Sequence, residues 1–205
     1  MKILFVSDIH GSPSGLRRAL EFYDREGAEL LCLGGDIINY GPRNGVPSDL
    51  NPQAVVGLLA PHRHEIVAVR GNCDSEVDQM LLPFPTLSDY ALVVNEGKRI
   101  VLTHGHLPFA QDMLKEADAE GKDMGIDKGK DNAKGGTGGW LTCDMMVMGH
   151  THLWELQRMA DGTLLCNMGS VTFPKMGREA TFAYFDGRAM SIRTLEGKIL
   201  KEMEL

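Results

Sequence analysis

The stretch Met1-Lys2-Ile3-Leu4-Phe5-Val6-Ser7-Asp8-Ile9-His10-Gly11 decides the reading of the fold. Ile3 to Val6 is an uninterrupted apolar run of strand-favouring residues, too short for a helix and closed by polar residues, as expected of a strand covered on both faces. At its carboxyl end stand a carboxylate and an imidazole two residues apart. On extended backbone such residues point the same way, so Asp8 and His10 are placed to grip one cation together. An Asp at a strand end also serves commonly as a turn or cap residue. The test is whether later strands end in the same chemistry.

They do. Ser12-Pro13 offers a helix start, and Leu16, Ala19, Leu20 and Tyr23 share one face of a helix that Gly27 ends. Leu30 to Leu33 is a second strand run, which reaches Gly34-Gly35-Asp36. A turn-rich loop from Asn39 to Asp49 precedes a short helix capped at Asn51-Pro52. Glu65 to Val69 is a third strand, ending in Arg70-Gly71-Asn72-Cys73-Asp74. Three strand–helix steps with short connections predict a parallel sheet with helices on its faces and ligands at the carboxyl ends of the strands.

The second half changes character. Tyr90 to Val94, Lys98 to Thr103, Met145 to Met148, Thr163 to Cys166, Thr181 to Phe185 and Met190 to Thr194 read as strands with few helices between, which predicts a second, mostly antiparallel sheet. Two of these runs end in Thr103-His104-Gly105-His106 and Gly149-His150-Thr151-His152. A helix is predicted from Ala110 to Ala119. Glu120 to Gly139 follows, with seven glycines and almost no large apolar residue, and is expected to be a flexible insertion. No linker divides the chain, so residues 1–205 are read as a single domain.

With 205 residues, 43% of them hydrophobic, the chain is long enough to bury a sizeable core. A net charge of −7 argues against an extended basic nucleic-acid surface and against an anionic-membrane partner. An anionic substrate therefore needs a local source of positive charge. Cys32, Cys73, Cys143 and Cys166 are far apart without a CxxC pair, which with the lack of a signal-peptide layout or a membrane-length apolar run predicts a cytoplasmic protein.

Collected, the strand-end residues are Asp8, His10, Asp36, Asn72, His104, His150 and His152. This mixture of carboxylate, amide oxygen and imidazole suits borderline divalent metals. Seven ligands exceed the need of one ion. Two ions sharing a bridging carboxylate would use them all, and would supply the positive charge that the composition lacks. Manganese is the leading expectation, with iron, zinc, cobalt and nickel as alternatives. Asn72 and Cys73 are candidates for the catalytic step. Arg43, which forks well onto phosphate, and Asn39 are candidates for substrate binding. His106 is left behind the ligands, and His62 and His64 are expected at the solvent surface.

The ordered series Asp8-x-His10, Gly35-Asp36, Gly71-Asn72-x-Asp74, Thr103-His104-Gly105-His106 and Gly149-His150-Thr151-His152 resembles the calcineurin-like metallophosphoesterase superfamily. Gly41-Pro42-Arg43-Asn44 and the run from Arg70 to Asp78 further resemble its small bacterial phosphodiesterases. The resemblance implies an α/β/β/α sandwich of two sheets with a dinuclear metal site at the strand ends. Asp8, His10, Asp36 and His152 would hold one ion; Asp36, Asn72, His104 and His150 the other, with Asp36 as the bridge. It also implies hydrolysis of a small anionic phosphodiester by metal-activated water. A phosphomonoesterase, a nuclease and a non-catalytic protein-binding scaffold on the same fold are the alternatives, and self-association is compatible with any of them. Two departures stand out. Many members carry His where this chain has Cys73, and the family's Asn-Pro-Gly-Ser is Asn167-Met168-Gly169-Ser170 here, expected to be a turn that does not touch the metals.

Overall fold

The computed structural model describes residues 1–119 and 142–205; the expected insertion from Glu120 to Gly139 falls outside the described residues. In chain order the elements are β1 (Ile3–Val6), α1 (Pro13–Glu26), β2 (Leu30–Leu33), α2 (Pro52–Leu59), β3 (Ile66–Ala68), α3 (Glu76–Gln79), β4 (Tyr90–Asn95), β5 (Lys98–Thr103), α4 (Pro108–Ala119), β6 (Met145–Met148), β7 (Glu155–Arg158), β8 (Leu164–Asn167), β9 (Thr181–Phe185), β10 (Ala189–Thr194) and β11 (Ile199–Glu204). One sheet has the order β11-β10-β9-β1-β2-β3, the other β4-β5-β6-β8-β7. As its apolar run requires, β1 is central, pairing in parallel with β2 and antiparallel with β9.

The second half corrects two expectations. Thr181–Phe185 and Ala189–Thr194 belong to the first sheet, because β9 occupies the side of β1 that β2 leaves open. The second sheet is mixed rather than mostly antiparallel: β6 pairs in parallel with both β5 and β8, and only the edge strands β4 and β7 run against their neighbours. The connection from β5 to β6 passes through α4, which supplies the long crossover that parallel pairing needs. Two edge strands, β7 and β11, are absent from the sequence reading. Glu-Leu-Gln-Arg and Ile-Leu-Lys-Glu-Met-Glu lack the continuous apolar run of a buried strand because each has one side without a sheet partner.

Side-chain alternation then builds four layers. Leu4, Val6, Leu31 and Leu33 face α1 and α2, packing with Leu16, Leu20, Phe22, Val55 and Leu59. Ile3, Phe5 and Cys32 point the other way, against Leu102, Met145, Val147 and Cys166 of the second sheet. On that sheet's far side Val101, Met146 and Met148 pack against Ala110, Met113 and Leu114 of α4. Helix, sheet, sheet and helix follow in that order, so β1, β2, β5 and β6 end at one common edge. No helix among the described residues is long and apolar enough to cross a membrane.

The inter-sheet layer is where the two halves depend on each other. Phe5 is fully buried there, so Phe5→Ala is expected to cost roughly 3–5 kcal/mol, read from the shift in denaturant midpoint. A loss below about 1 kcal/mol would show that the sheets repack around the cavity.

Candidate metal centre

Five of the seven ligand candidates do not sit on extended backbone. β1 ends at Val6, and Asp8 and His10 have φ of 55° and 50°; Asp36, His150 and His152 follow at 52°, 67° and 60°. Of the seven non-glycine residues with positive φ among the described residues, these are five. Asp and His are among the side chains that tolerate this region best. The alternation argument for Asp8 and His10 is therefore replaced by a different geometry. The chain curls into a left-handed turn just past β1, β2 and β6, and these turns bring their side chains to one cleft.

Close backbone approach makes room for them. A Cβ on Gly71 would fall on the Asp36 carboxylate, and one on Gly149 would fall on Ser7 and Asp8. Glycine at both positions lets four strand ends crowd together in two pairs. Asp74 locks two of them, its carboxylate accepting from the backbone N–H groups of Asp36 at 2.7 Å, Ile37 at 2.9 Å and Gly71 at 2.8 Å. Asn167 Nδ2 donates to the Gly149 carbonyl at 2.9 Å and Ser170 Oγ to the Asp8 carbonyl at 2.9 Å. The Asn167-Met168-Gly169-Ser170 segment thus braces the backbones that carry the ligands rather than forming a detached turn.

Three imidazoles are oriented alike. Nδ1 of His10, His104 and His152 each lies 2.7 Å from a carbonyl, of Asn39, Gly34 and Phe173 respectively. A carbonyl cannot donate, so Nδ1 carries the proton and Nε2 of the neutral ring is left for a ligand. His10 Nε2 and His152 Nε2 stand 3.3 Å apart, and His152 Nε2 is 3.1 Å from Asp8 Oδ1. That oxygen is buried without a hydrogen-bond donor. Asp36 Oδ2 lies between His10 Nε2 at 3.8 Å and His104 Nε2 at 3.5 Å. His104 Nε2 is 3.1 Å from Asn72 Oδ1. Facing lone pairs beside an orphaned carboxylate oxygen fit a divalent cation, which would accept all of them at once. Asp8, His10 and His152 form one compact group; Asp8, Asp36 and His104 form another. His150 is not in these groups, but its ring lies 5.1 Å from that of His104 and lines the same cleft.

The charges of the cluster set one another. Burial opposes ionisation of Asp8, yet His152 and His10 outweigh it and hold the carboxyl well below the usual range. Asp36 is likewise lowered, against burial, chiefly by His104. Burial disfavours a charged His104, but Asp36 and Asp8 push it up to about 9. For His10 the Asp8 carboxylate overcomes burial and raises the pKa. His150 goes the other way, down to about 4 through burial and its neighbour His104. Burial and then the Asp36 charge push the Cys73 thiol up to about 12.

The remaining candidates separate. Arg43 is exposed and lines a cleft of about 200 Å³ together with Asp36, Asn72, His150 and His152. Asn39 contributes its carbonyl to His10, while its side chain is not among those lining the cleft. Cys73 donates its N–H to Asp36 Oδ1 at 2.8 Å, and its Sγ accepts from Asn72 Nδ2 at 3.2 Å. His106 stands behind His104, ring centroids 5.4 Å apart. His62 is half-buried against Tyr23, not at the solvent surface, whereas His64 is exposed. The sequence reading missed Asn44, Gln111, Thr151 and Lys175 on the cleft wall. Thr151, inside the Gly149-His150-Thr151-His152 motif, and Asn44, inside the Gly41-Pro42-Arg43-Asn44 loop, carried a signal; Gln111 and Lys175 carried none.

Comparison with known proteins shows the family and the fold. The model of the calcineurin-like phosphoesterase superfamily domain matches residues 1–190. Phosphodiesterase YfcE of Escherichia coli K12 is 37% identical over 195 residues, covering 95% of this chain and 92% of that protein. The solved structure of E. coli YfcE, described as a phosphoesterase, superposes with a TM-score of 0.79 at 36% identity, over 100% of this chain and 99% of that one. Vacuolar protein sorting 29 of Cryptosporidium parvum shares the fold alone, with a TM-score of 0.57 at 18% identity over 100% and 98% of the two chains.

Asp36 Oδ2 is within 3.8 Å of histidines from two different strand ends. Asp36→Asn is therefore expected to reduce bound metal and activity far more than Asp8→Asn, measured by elemental analysis after dialysis. Small and equal losses in the two variants would show that Asp36 is not shared.

Proposed function

The chain belongs to the calcineurin-like phosphoesterase superfamily, and on that premise we propose that it is a metal-dependent phosphodiesterase acting on a small anionic phosphodiester. The observation that carries the reading is the facing of His10 Nε2 and His152 Nε2 across 3.3 Å beside the orphaned Asp8 Oδ1, at the floor of a cleft sized for a small molecule. The likeness to YfcE supports the choice of a diester.

Divalent metal ions belong to this family's chemistry. We assign one to Asp8, His10, Asp36 and His152 and a second to Asp36, Asn72, His104 and His150, with manganese first and iron, zinc, cobalt or nickel as alternatives. Such ions, when bound, polarise a phosphoryl oxygen and lower the pKa of water. The chain's own residues do the rest. The carbonyls of Asn39, Gly34 and Phe173 hold three imidazoles in the ligating tautomer. The Arg43 guanidinium, on the cleft wall, is suited to fork onto phosphate oxygens. Asn72 lines the cleft, its Oδ1 turned to His104 Nε2 at 3.1 Å.

Metal analysis of protein purified without chelator, with a panel of diester and monoester substrates, tests this reading. Close to two ions per chain with diesters cleaved faster than monoesters is the expected result; protein that takes up no divalent ion when supplied with it, or that hydrolyses neither ester class when loaded, overturns it.

Cys73 stands where many family members place a histidine that assists the leaving group. A thiol has an ordinary pKa near 8.5 and is a poor substitute for imidazolium, so the departing oxygen leaves largely unaided. Rates are expected to depend steeply on leaving-group acidity, with aryl diesters reacting best. Cys73→His supplies a donor, worth ~10²-fold when well placed, and is expected to favour poor leaving groups most. A shallow dependence on leaving-group acidity, unchanged in this variant, would show that the position does not limit the rate.

A further inference from the structure

The loop between β2 and α2 is bound at both ends to the turn that carries His10. At its start the Asn39 carbonyl accepts from His10 Nδ1 at 2.7 Å. At its end the Asn51 N–H donates to the Gly11 carbonyl at 2.8 Å, and the Asp49 carboxylate accepts from the Ser12 hydroxyl at 2.7 Å. In between, the loop rests on Cys73, whose Sγ would lie 2.7 Å from a Cβ on Gly41. These contacts hold the middle of the loop against the candidate metal centre.

Asn44 belongs to that middle stretch, half-buried, and lines the cleft. Its Nδ2 donates to the Tyr40 carbonyl at 3.3 Å. Only the nitrogen of an amide can donate to a carbonyl, so this bond sets which way the side chain is turned. One N–H is used there, and the other remains for a second acceptor. Nδ2 stands 3.5 Å from His10 Nε2, long for a hydrogen bond and so weak. That nitrogen carries the lone pair that fits a cation, on the side where Asp8, His10 and His152 meet. A single lone pair cannot serve both. Where a cation takes it, the second amide hydrogen loses its acceptor, while the Tyr40 carbonyl keeps the amide turned to the same place. The oxygen that suits it must lie beside His10 and carry negative charge, because a hydrogen bond to a charged group is the stronger kind.

We infer that Asn44 binds the scissile group, its second amide hydrogen donating to one non-bridging oxygen of the phosphodiester, the oxygen on the His10 side. This rests on the phosphodiesterase reading above and adds to it a residue that touches the substrate. The non-bridging oxygens stay bonded to phosphorus and negatively charged throughout hydrolysis. The bond therefore serves bound substrate and transition state alike, and its loss belongs in KM rather than kcat. A contact to one oxygen of the two also makes the site handed.

The test uses the metal-loaded protein with methyl p-nitrophenyl phosphate and the two diastereomers, Rp and Sp, of its monothio analogue. Asn44→Ala is expected to raise KM for the oxygen ester ~10-fold, the lower range for a hydrogen bond to a charged group. One thio diastereomer is expected to lose as much. The other is expected to lose little, because its sulfur, a weak acceptor, already occupies the position that Asn44 addresses. Asn44→Gln keeps an amide donor and is expected to recover part of the loss. Independently of turnover, calorimetric binding of dimethylphosphinate, which has two phosphoryl oxygens and no ester bond, is expected to weaken by the same factor in Asn44→Ala, with the number of ions per chain unchanged. Equal losses for the oxygen ester and both thio diastereomers, unchanged phosphinate affinity, or a fall in bound metal overturns the inference. If the native protein cleaves none of the three esters, the phosphodiesterase reading fails separately. Phosphinate binding then decides the role of Asn44, and equal affinity in native protein and Asn44→Ala sinks it.

Discussion

Five of the side chains suited to hold metal are carried on backbone with positive φ. Such conformations cost of order 1–3 kcal/mol each, toward the low end for Asp and His. Even so, their sum is of the same order as the ~5–15 kcal/mol net stability of an ordinary domain. A chain keeps such turns only when its surroundings determine them. The Asp74 carboxylate does so for the second and third strand ends through its hydrogen bonds to Asp36, Ile37 and Gly71. Asn167 and Ser170 do so for the sixth and first. Beneath them, buried aliphatic layers on both faces of β1 keep the strand from shifting to relieve the strain.

This explains why the side chains that meet at the candidate metal centre were readable from sequence while their geometry was not. Asp8, His10, Asp36, His104, His150 and His152 each follow a recognisable apolar run, so strand plus polar terminus locates them. That the chain leaves extended backbone before Asp8 is a consequence of crowding among strand ends far apart in sequence, to which no local pattern responds. The same holds for the sheets. The period-2 signal found β9 and β10, but their membership in the first sheet depends on which edge of β1 stays free. The cleft wall was the least readable part. Lys175 is an ordinary loop residue in sequence, and its place on the wall follows from hydrogen bonds such as that of its N–H to the His152 carbonyl.

The departure at Met168 has a physical counterpart. Its N–H donates to the Met148 carbonyl at 2.8 Å, a bond that proline has no hydrogen to make. It carries the β6–β8 pairing one step past Asn167, directly beneath the turn that bears His150 and His152. Met168 is also fully buried among the inter-sheet residues. The side chain thus exchanges the stiffness of a proline for a backbone bond and core packing at the same place.

Cys73 and the cation-bearing loop are coupled through size. Its N–H is fixed on Asp36 Oδ1, so the side chain at this position cannot move away from the cluster. On its other side lies Gly41, with φ of 67°, where even one added carbon would come within 2.7 Å of Sγ. The thiol therefore fills the gap between the bridging-carboxylate candidate and the loop that carries Arg43 and Asn44. An imidazole is several atoms larger than a thiol, so placing one here pushes on Gly41 and shifts Arg43 with it. A small residue at position 73 and a close-lying Arg43 thus belong together.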